Sequence, residues 1–474
     1  MTRNKIPFYY LMFTYLSLSL VVAIGYVKDQ IYKFKLSKLN FWKSKNDIPP
    51  IFSMFESFYS RWIYRRLADN LCHPVAGVPG RMITIIERKS KDHNRKLIMT
   101  ENKYQLLNFG SYNYLGFASN SGRVARAVIK NIDEYPVNVG APSRDVGTLK
   151  VIRDLEKEMA QFLKKEDAMV FAMGYGTNTS NIPILLTEGT LVLSDELNHA
   201  SIITGIKLGK ATVRIFKHND MDELEKILRK EISQGQPVTH RSWKKIIVFV
   251  EGINSMEGTI LSLKRLVKLK EKYKFYIFLD EAHSIGCLGQ TGRGICEYSR
   301  VDPKDIDILM GTFTKSFAGM GGYIAGDSHL IEHLRFYSDA ALYGEQMSPI
   351  AATQILESLR CIRDTKEGKK KIRILFRNTK LMREGLKALG FIIVGDDDSP
   401  VIPILISNFG KLGEFSRICR EEGIGVVIVG YPATPLLFSR IRLCMSSSHT
   451  KEDILKALAV FSRCGDLLGL KYNR

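Results

Sequence analysis

Residues 311–317 read GTFTKSF, and the run continues as AGMGGYIAG to Gly326. Lys315 sits among small hydroxyl residues just past a short apolar segment, Ile306–Met310. Upstream, the apolar and β-prone Phe275–Leu279 runs into Asp280-Glu281-Ala282-His283. Two strands ending in an acid and a lysine suit pyridoxal phosphate (PLP) chemistry. The lysine holds the aldehyde as a Schiff base, and the carboxylate keeps the pyridine nitrogen protonated so that the ring accepts electrons. Taken singly, Lys315 reads as a surface lysine beside a turn and Asp280 as a helix N-cap. Taken together, with Ser, Thr and Gly around the lysine and His283 beside the acid, they read as a cofactor site.

Working outward from this stretch, the chain alternates from Asp167 onward. Segments 168–172, 190–193, 212–216, 245–250, 276–280, 307–311 and 322–325 read as short buried strands. Helical patterns separate them, clearest at 221–232 and 263–273. The alternation predicts an α/β fold with a mostly parallel seven-stranded sheet and helices on both faces. Ligands in such sheets bind beyond the carboxyl ends of the strands, where Asp280, Thr312 and Lys315 fall. Gly174-Tyr175-Gly176 follows the apolar segment ending at Ala172, and backbone amides at such a turn form a phosphate cradle. Thr312 is placed to add a hydroxyl to that phosphate or to serve only as a turn residue. After Pro349 the pattern changes. A long basic helical region (351–389) leads to apolar segments at 391–394, 401–406 and 426–429 and helices at 413–422 and 452–468. This predicts a smaller α/β domain. The expected boundaries are 1–50 for an anchor and basic flank, 51–130 for a segment with an amphipathic helix, 131–350 for the large domain and 351–474 for the small one.

Ile6–Val27 carries no charge and is long enough to span a bilayer as a helix. Lys28, Lys33, Lys35, Lys38, Lys43 and Lys45 crowd its C-terminal flank, against Arg3 and Lys5 before it. The positive-inside rule then leaves the bulk of the chain in the cytosol. Thr14, Ser17 and Ser19 weaken the span, so an interfacial helix is the second reading. Residues 52–67 place Phe52, Phe55, Phe58, Tyr59 and Trp62 at helical spacing among Arg61, Arg65 and Arg66. Two readings are open there: a helix lying on a membrane or on the protein body, and an ordinary amphipathic core helix. The net charge of +20 suits an anionic membrane surface or a polyanionic substrate such as a coenzyme A ester. No zinc-finger, RNA-recognition or helix-turn-helix signature accompanies it, which argues against nucleic acid. The seven cysteines are scattered and never spaced CxxC, which argues for reduced thiols and against a disulfide framework or a metal site.

Longer stretches carry a family likeness: FGSYNYLGFA (109–118), LSDELNHASI (193–202), RIFKHND (214–220), VEGINSMEGTI (250–260), LDEAHSIGCLGQTGRG (279–294), GTFTKSF (311–317), GGYIAG (321–326) and VGYPATP (429–435). Over residues 52–474 the chain resembles the α-oxoamine synthases, PLP enzymes of fold type I that condense an amino acid with an acyl-CoA and release carbon dioxide. Within that family it is most similar to the members that join L-serine to palmitoyl-CoA, giving 3-ketosphinganine. The resemblance implies that Lys315 is the Schiff-base lysine and removes the Cα proton, and that Asp280 partners the pyridine nitrogen. It implies that His283 reaches the cofactor's phenolic oxygen, joined by Ser255, and that His199 stacks on the ring. Arg442 in SRIRLC resembles the arginine that receives the substrate carboxylate, a task for which a bidentate guanidinium is suited. Arg440 is its rival, on the same face if this is a strand.

The same resemblance implies a heterodimer with a related subunit that lacks the lysine, and an endoplasmic reticulum membrane location. Three other readings remain: a synthase using glycine or alanine with a short acyl-CoA, a non-catalytic structural subunit, and a membrane-tethered binding protein with an inactive fold. The chain also departs from the family pattern. After the lysine it reads SFAGMGG, with Ala318 and Met320 where small residues and glycine are usual. Segment 139–156 is one residue short between Arg144 and Gly147, and Ile152 stands where a histidine is usual.

Overall fold

The computed structural model describes residues 7–38, 54–431 and 433–472, with side-chain detail outside 32–38, 54–57 and 436. Arg3, Lys5, Ile6, Lys43, Lys45 and Phe52 lie outside the described residues, as do the side chains of Lys33, Lys35, Lys38 and Phe55. The centre is a seven-stranded sheet. In spatial order its strands are Asp167–Phe171, Gly322–Gly326, Ile308–Thr312, Tyr276–Asp280, Lys245–Glu251, Thr190–Asp195 and Thr212–Phe216. Gly322–Gly326 runs antiparallel to both neighbours, and every other pairing is parallel. All seven expected strands form, each within two residues of its expected ends. Their central residues, such as Val248, Phe249, Ile277 and Phe278, are buried. Sheets covered on both faces have such continuous apolar strands.

The C-terminal part builds a second, three-stranded sheet in the order Val401–Leu405, Arg440–Cys444, Val427–Val429, all antiparallel. The apolar segment 391–394 contributes an isolated bridge, Ile393 to Ile404. The long basic helical region divides into Pro349–Asp364 and Lys366–Ala388. Thr365 causes the break: its backbone is extended and its hydroxyl accepts from Gly368 N at 3.0 Å, capping the second helix. Helices Phe409–Glu421 and Lys451–Leu467 open on side-chain caps, Asn408 and a Thr450/Asp453 capping box.

A hairpin absent from the sequence reading, Met82–Lys89 with Ile98–Asn108, pairs with Ile424–Gly425. It ties the segment before the large sheet to the C-terminal part. Its outer half is mostly exposed, so its strands lack the alternating burial that marks a strand in sequence.

Helix Phe8–Lys38 holds a stretch, Phe8–Ile31, long and apolar enough to cross a membrane. One face touches the body. Tyr10 Oη donates to Gly469 O at 2.5 Å, and Asp29 accepts from Arg61 at 2.6 Å and from Trp62 Nε1 at 2.9 Å. Phe8, Phe13, Leu16, Leu20 and Tyr26 on other faces are exposed. The expected helix at 52–67 is α-helical over Met54–Trp62 and then 3₁₀ over Tyr64–Asn70. It lies on the body through buried Tyr59, Ile63 and Leu67, and Tyr59 Oη donates to Tyr431 O at 2.8 Å. Phe58 and Trp62 close around Gly25 of the N-terminal helix.

Candidate active site

The sheet brings the expected residues to one edge. Asp280 ends its strand beside Glu251 and Met310 of the neighbouring strands. Thr312 ends the next strand, and Lys315 follows in the turn. His199 caps helix Ala200–Leu208 after strand Thr190–Asp195, and Gly174 opens helix Gly174–Leu185 after strand Asp167–Phe171. Ser255 is buried in the turn beyond strand Lys245–Glu251. The second sheet supplies Arg440 and Arg442 from strand Arg440–Cys444.

Asp280 is buried and fixed from two sides. Its Oδ1 accepts from Ala282 N at 2.9 Å, and its Oδ2 accepts from Asn178 Nδ2 at 3.1 Å. Asn178 Nδ2 also donates to Ser201 Oγ at 3.0 Å, and Ser201 Oγ lies 2.7 Å from His199 Nδ1. His199 Nδ1 already accepts from Ser201 N, so Ser201 Oγ donates to it and its proton resides on Nε2. A chain of hydrogen bonds therefore runs from the acid to the ring expected to stack. Desolvation, opposed by Asp280 and reinforced by Lys315, lowers the His199 pKa.

His283 is buried, with Nδ1 2.8 Å from Tyr114 Oη. Burial, then Lys315, Arg442 and His199, hold its pKa well below the histidine value. Burial holds the Tyr114 hydroxyl well above the phenol value. The tyrosine is thus the donor, and neutral His283 keeps a proton on Nε2 to give to an acceptor.

Lys315 is partly buried, and its Nζ lies 5.6 Å from the centroid of the Tyr112 ring. Burial lowers its pKa to about 8, opposed by the charges of Asp280 and Glu251 and aided by Arg442. Glu251 itself is pushed well above the carboxylate range by burial and by Asp280. An amine at about 8 is partly neutral near pH 7 and able to accept a proton.

The two arginines differ in their partners. Arg440 is engaged: Nη1 lies 2.8 Å from Glu257 Oε1 and donates to Met256 O at 2.9 Å, while Nε donates to Phe438 O at 2.9 Å. Arg442 is buried, yet its Nε has no hydrogen-bond partner, and its Nη1 meets the Met256 thioether at 3.7 Å. Its guanidinium carbon lies 4.6 Å from the Tyr112 centroid. No carboxylate pairs with Arg442 among the described residues.

At the glycine turn, a Cβ on Gly174 would stand 3.1 Å from Thr312 Cγ2 and 3.3 Å from Gly321 O. Glycine thus lets the helix start approach Thr312, and the first amides of an α-helix lack intrahelical partners. Tyr175 is half-exposed, and its Oη lies 2.9 Å from Thr204 Oγ1. Beside this turn opens a cavity of about 750 Å³ lined by Gly176, Thr179, Arg144, Ile152 and Phe336. Arg144 and Ile152, where the chain departs from the family pattern, therefore line this cavity. Met320 points outward at 62 % exposure, so its bulk costs the turn nothing, whereas Ala318 is held at φ +50°.

Asn178, Tyr112, Tyr114 and Glu251 escaped the sequence reading as site residues. Three of the four lie inside or at the start of stretches that carried the family likeness. Asparagine and tyrosine become informative only once their partners are known.

The model of the family described as aminotransferase class I and II matches residues 104–461. Serine palmitoyltransferase 2 of Dictyostelium discoideum is 46 % identical over 98 % of this chain and 95 % of its own length. Serine palmitoyltransferase 2 of Saccharomyces cerevisiae is 46 % identical over 98 % of this chain and 84 % of its own. The solved structure of Sphingomonas wittichii serine palmitoyltransferase superposes with a TM-score of 0.76 at 25 % identity, covering 91 % of this chain and 99 % of that one. A serine palmitoyltransferase from S. paucimobilis shares the fold with a TM-score of 0.77 at 24 % identity, covering 88 % of this chain and all of that one. With Asp280 and Lys315 beyond the strands of the large sheet and Arg442, free of any carboxylate partner among the described residues, supplied by the second sheet, the chain belongs to the aminotransferase class I and II family and, within it, to the serine palmitoyltransferases.

Proposed function

We propose that this chain is the lysine-bearing subunit of a PLP-dependent serine palmitoyltransferase. The reaction joins L-serine and palmitoyl-CoA into 3-ketosphinganine and releases carbon dioxide and coenzyme A, the first step in making long-chain bases. The observation that carries the reading is Lys315, at a pKa of about 8, in one site with buried Asp280 and the unpaired Arg442. Residue chemistry suits PLP in three places. Lys315 offers an amine for its aldehyde, Asp280 an anion for its ring nitrogen, and the Gly174–Gly176 turn with Thr312 a cradle for its phosphate.

Bound there, PLP supplies an electron sink that stabilises a carbanion at the serine Cα. Arg442 receives the serine carboxylate, which fills the vacancy at its Nε. Lys315 would hold the aldehyde and, as a neutral amine, would accept the Cα proton of serine. Tyr114 fixes the His283 tautomer, so that His283 would offer its Nε2 proton to the phenolic oxygen of the cofactor, with Ser255 as a second donor. His199, at its capping position, would cover the ring. Lys315 separates this chain from a structural subunit without a lysine, and such a subunit is its proposed partner in a heterodimer.

Membrane attachment through helix Phe8–Lys38 belongs to the same reading. The lysines flanking its C-terminal end favour a cytosolic face, and the endoplasmic reticulum is the proposed membrane. In this reading residues 1–50 anchor, 51–130 connect, 131–350 hold the cofactor and 351–474 supply the arginine strand. Visible absorption of the full chain, expressed with and without a lysine-less partner, tests the assignment. The expected result is a band from lysine-bound cofactor that shifts on adding L-serine and is missing in Lys315→Ala. Absence of any band, even with the partner, would move the chain to the structural-subunit reading.

A further inference from the structure

The motif RIFKHND at 214–220 has no part in the site described above, yet its histidine holds the site's two flanks together. His218 is 10 % exposed, and its Nδ1 lies 2.9 Å from Asp195 Oδ1 and 3.0 Å from Oδ2. Its Nε2 lies 2.5 Å from Thr259 Oγ1. Asp195 also accepts from Leu197 N and Asn219 N, both at 2.9 Å, so it fixes the backbone that leads to His199. On the other flank, Thr259 O accepts from Asn254 N at 3.0 Å. Asn254 shapes the turn through Met256 N and Glu257 N, and its Nδ2 donates back to Leu197 O at 2.9 Å. That turn presents Met256, which touches both Arg440 and Arg442.

We propose that Asp195, His218 and Thr259 form a positioning relay that sets His199 on one side of the site and Met256, with its arginines, on the other, and thereby governs how tightly the substrate carboxylate is held. The inference rests on the functional reading above. Asp195, Glu196 and Glu257 are the charged groups that face His218. Burial pulls its pKa down, but the hydrogen bond and charge of Asp195, with Glu257 and Glu196, outweigh burial and leave it above the ordinary value. Its Nδ1 donates to the Asp195 carboxylate, and its Nε2 hydrogen-bonds the Thr259 hydroxyl, so one ring joins both residues. None of the three residues touches the reacting atoms, so their action is through the loops they join.

The test uses the full-length chain with Thr259→Val, Thr259→Ser and His218→Asn. His218→Asn keeps a donor near Asp195 but falls short of Thr259. The first readout is hydrogen exchange of residues 195–200, to which Thr259 is joined by its hydrogen bonds with His218 and Asn254. Thr259→Val is expected to accelerate exchange there severalfold, and Thr259→Ser to restore it. The second readout is L-serine titration followed by cofactor absorption. Thr259→Val and His218→Asn are expected to weaken serine binding about tenfold, equal to about 1.4 kcal/mol, with KM for palmitoyl-CoA unchanged. Unchanged exchange and serine affinity in Thr259→Val would overturn the relay, as would equal losses in Thr259→Ser. A wild-type chain without a cofactor band would refute the functional reading instead, and the exchange measurement would still decide the relay.

Discussion

Replacing Arg442 with methionine separates two roles that one arginine cannot hold at once, ligand receptor and structural strut. The Arg442 side chain is buried, and its Nε lacks a partner. A buried cation without an anion is a stability cost, so its removal from the ligand-free protein is expected to leave the thermal midpoint unchanged or raise it. Serine binding should suffer, because a charge-assisted bidentate contact is lost. At about 3 kcal/mol the loss corresponds to about 150-fold in KM for L-serine. A second signature is electrostatic. Arg442 helps to lower the Lys315 pKa, so the midpoint of the rise in activity with pH should move upward in Arg442→Met. Arg440→Met is the control. Arg440 is 2 % exposed and paired with Glu257 at 2.8 Å, and stranding that carboxylate should cost about 3 kcal/mol of stability. Steady-state kinetics against L-serine and thermal melts of both variants decide the matter. The reasoning is refuted if Arg442→Met binds serine like the wild type, or if it melts as early as Arg440→Met.

Burial of Lys315 also sets a pH window. Activity should climb from pH 7 with a midpoint near 8, the value to which burial lowers the Lys315 amine, as the amine becomes neutral. In cofactor-free protein the unfolded state binds more protons between about 8 and 10.5, so stability should rise with pH across that interval, and Lys315→Met should abolish the slope. Glu281 is a buried acid raised to about 7 by burial, with Ser284 Oγ donating to it at 2.6 Å and Ile295 N at 2.8 Å. Its stabilising effect is complete below pH 4.5 and is lost as pH rises through 7, so Glu281→Gln should match the wild type at about pH 4 and be more stable at pH 8, by up to about 3 kcal/mol in chemical denaturation. Ala318 is held at φ +50°, so Ala318→Gly should stabilise the fold by about 1 kcal/mol, read as a higher thermal midpoint.

Strand ends were legible because a buried parallel strand announces itself as a short β-branched run, and the residue that follows it projects from the sheet edge. Asp280, Thr312, Lys315 and His199 all sit at such ends, so finding the strands placed them together. The hairpin Met82–Lys89 and Ile98–Asn108 escaped because its outer half is exposed and its partner, Ile424–Gly425, is remote in sequence. The same holds for Asn178 and Tyr114. Each is an ordinary core residue until Asp280 Oδ2 or His283 Nδ1 lies within hydrogen-bond distance, and no local pattern encodes that approach.

Arg440 and Arg442 mark the boundary of what spacing can say. Two residues apart on one strand, they share a face, a residue type and a neighbour in Met256. Only partners separate them, and those partners come from the turn at 254–259, nearly two hundred residues earlier. Glu257 belongs to that turn and neutralises Arg440; nothing in it neutralises Arg442. The turn is in turn shaped by Asn254 and tied to His218 through Thr259. If Arg442 receives the serine carboxylate as proposed, the residue that decides which arginine stays unpaired governs recognition without touching substrate. Exchanging the charge shows the logic: Glu257→Gln should release Arg440 as a second unpaired guanidinium in the site, loosening the preference for one carboxylate position. Kinetics against L-serine in Glu257→Gln, alone and with Arg442→Met, measure it. If Arg440 can substitute, the double variant will bind serine better than Arg442→Met alone. If the double variant binds no better, the pairing with Glu257 does not select the receptor, and position on the strand does.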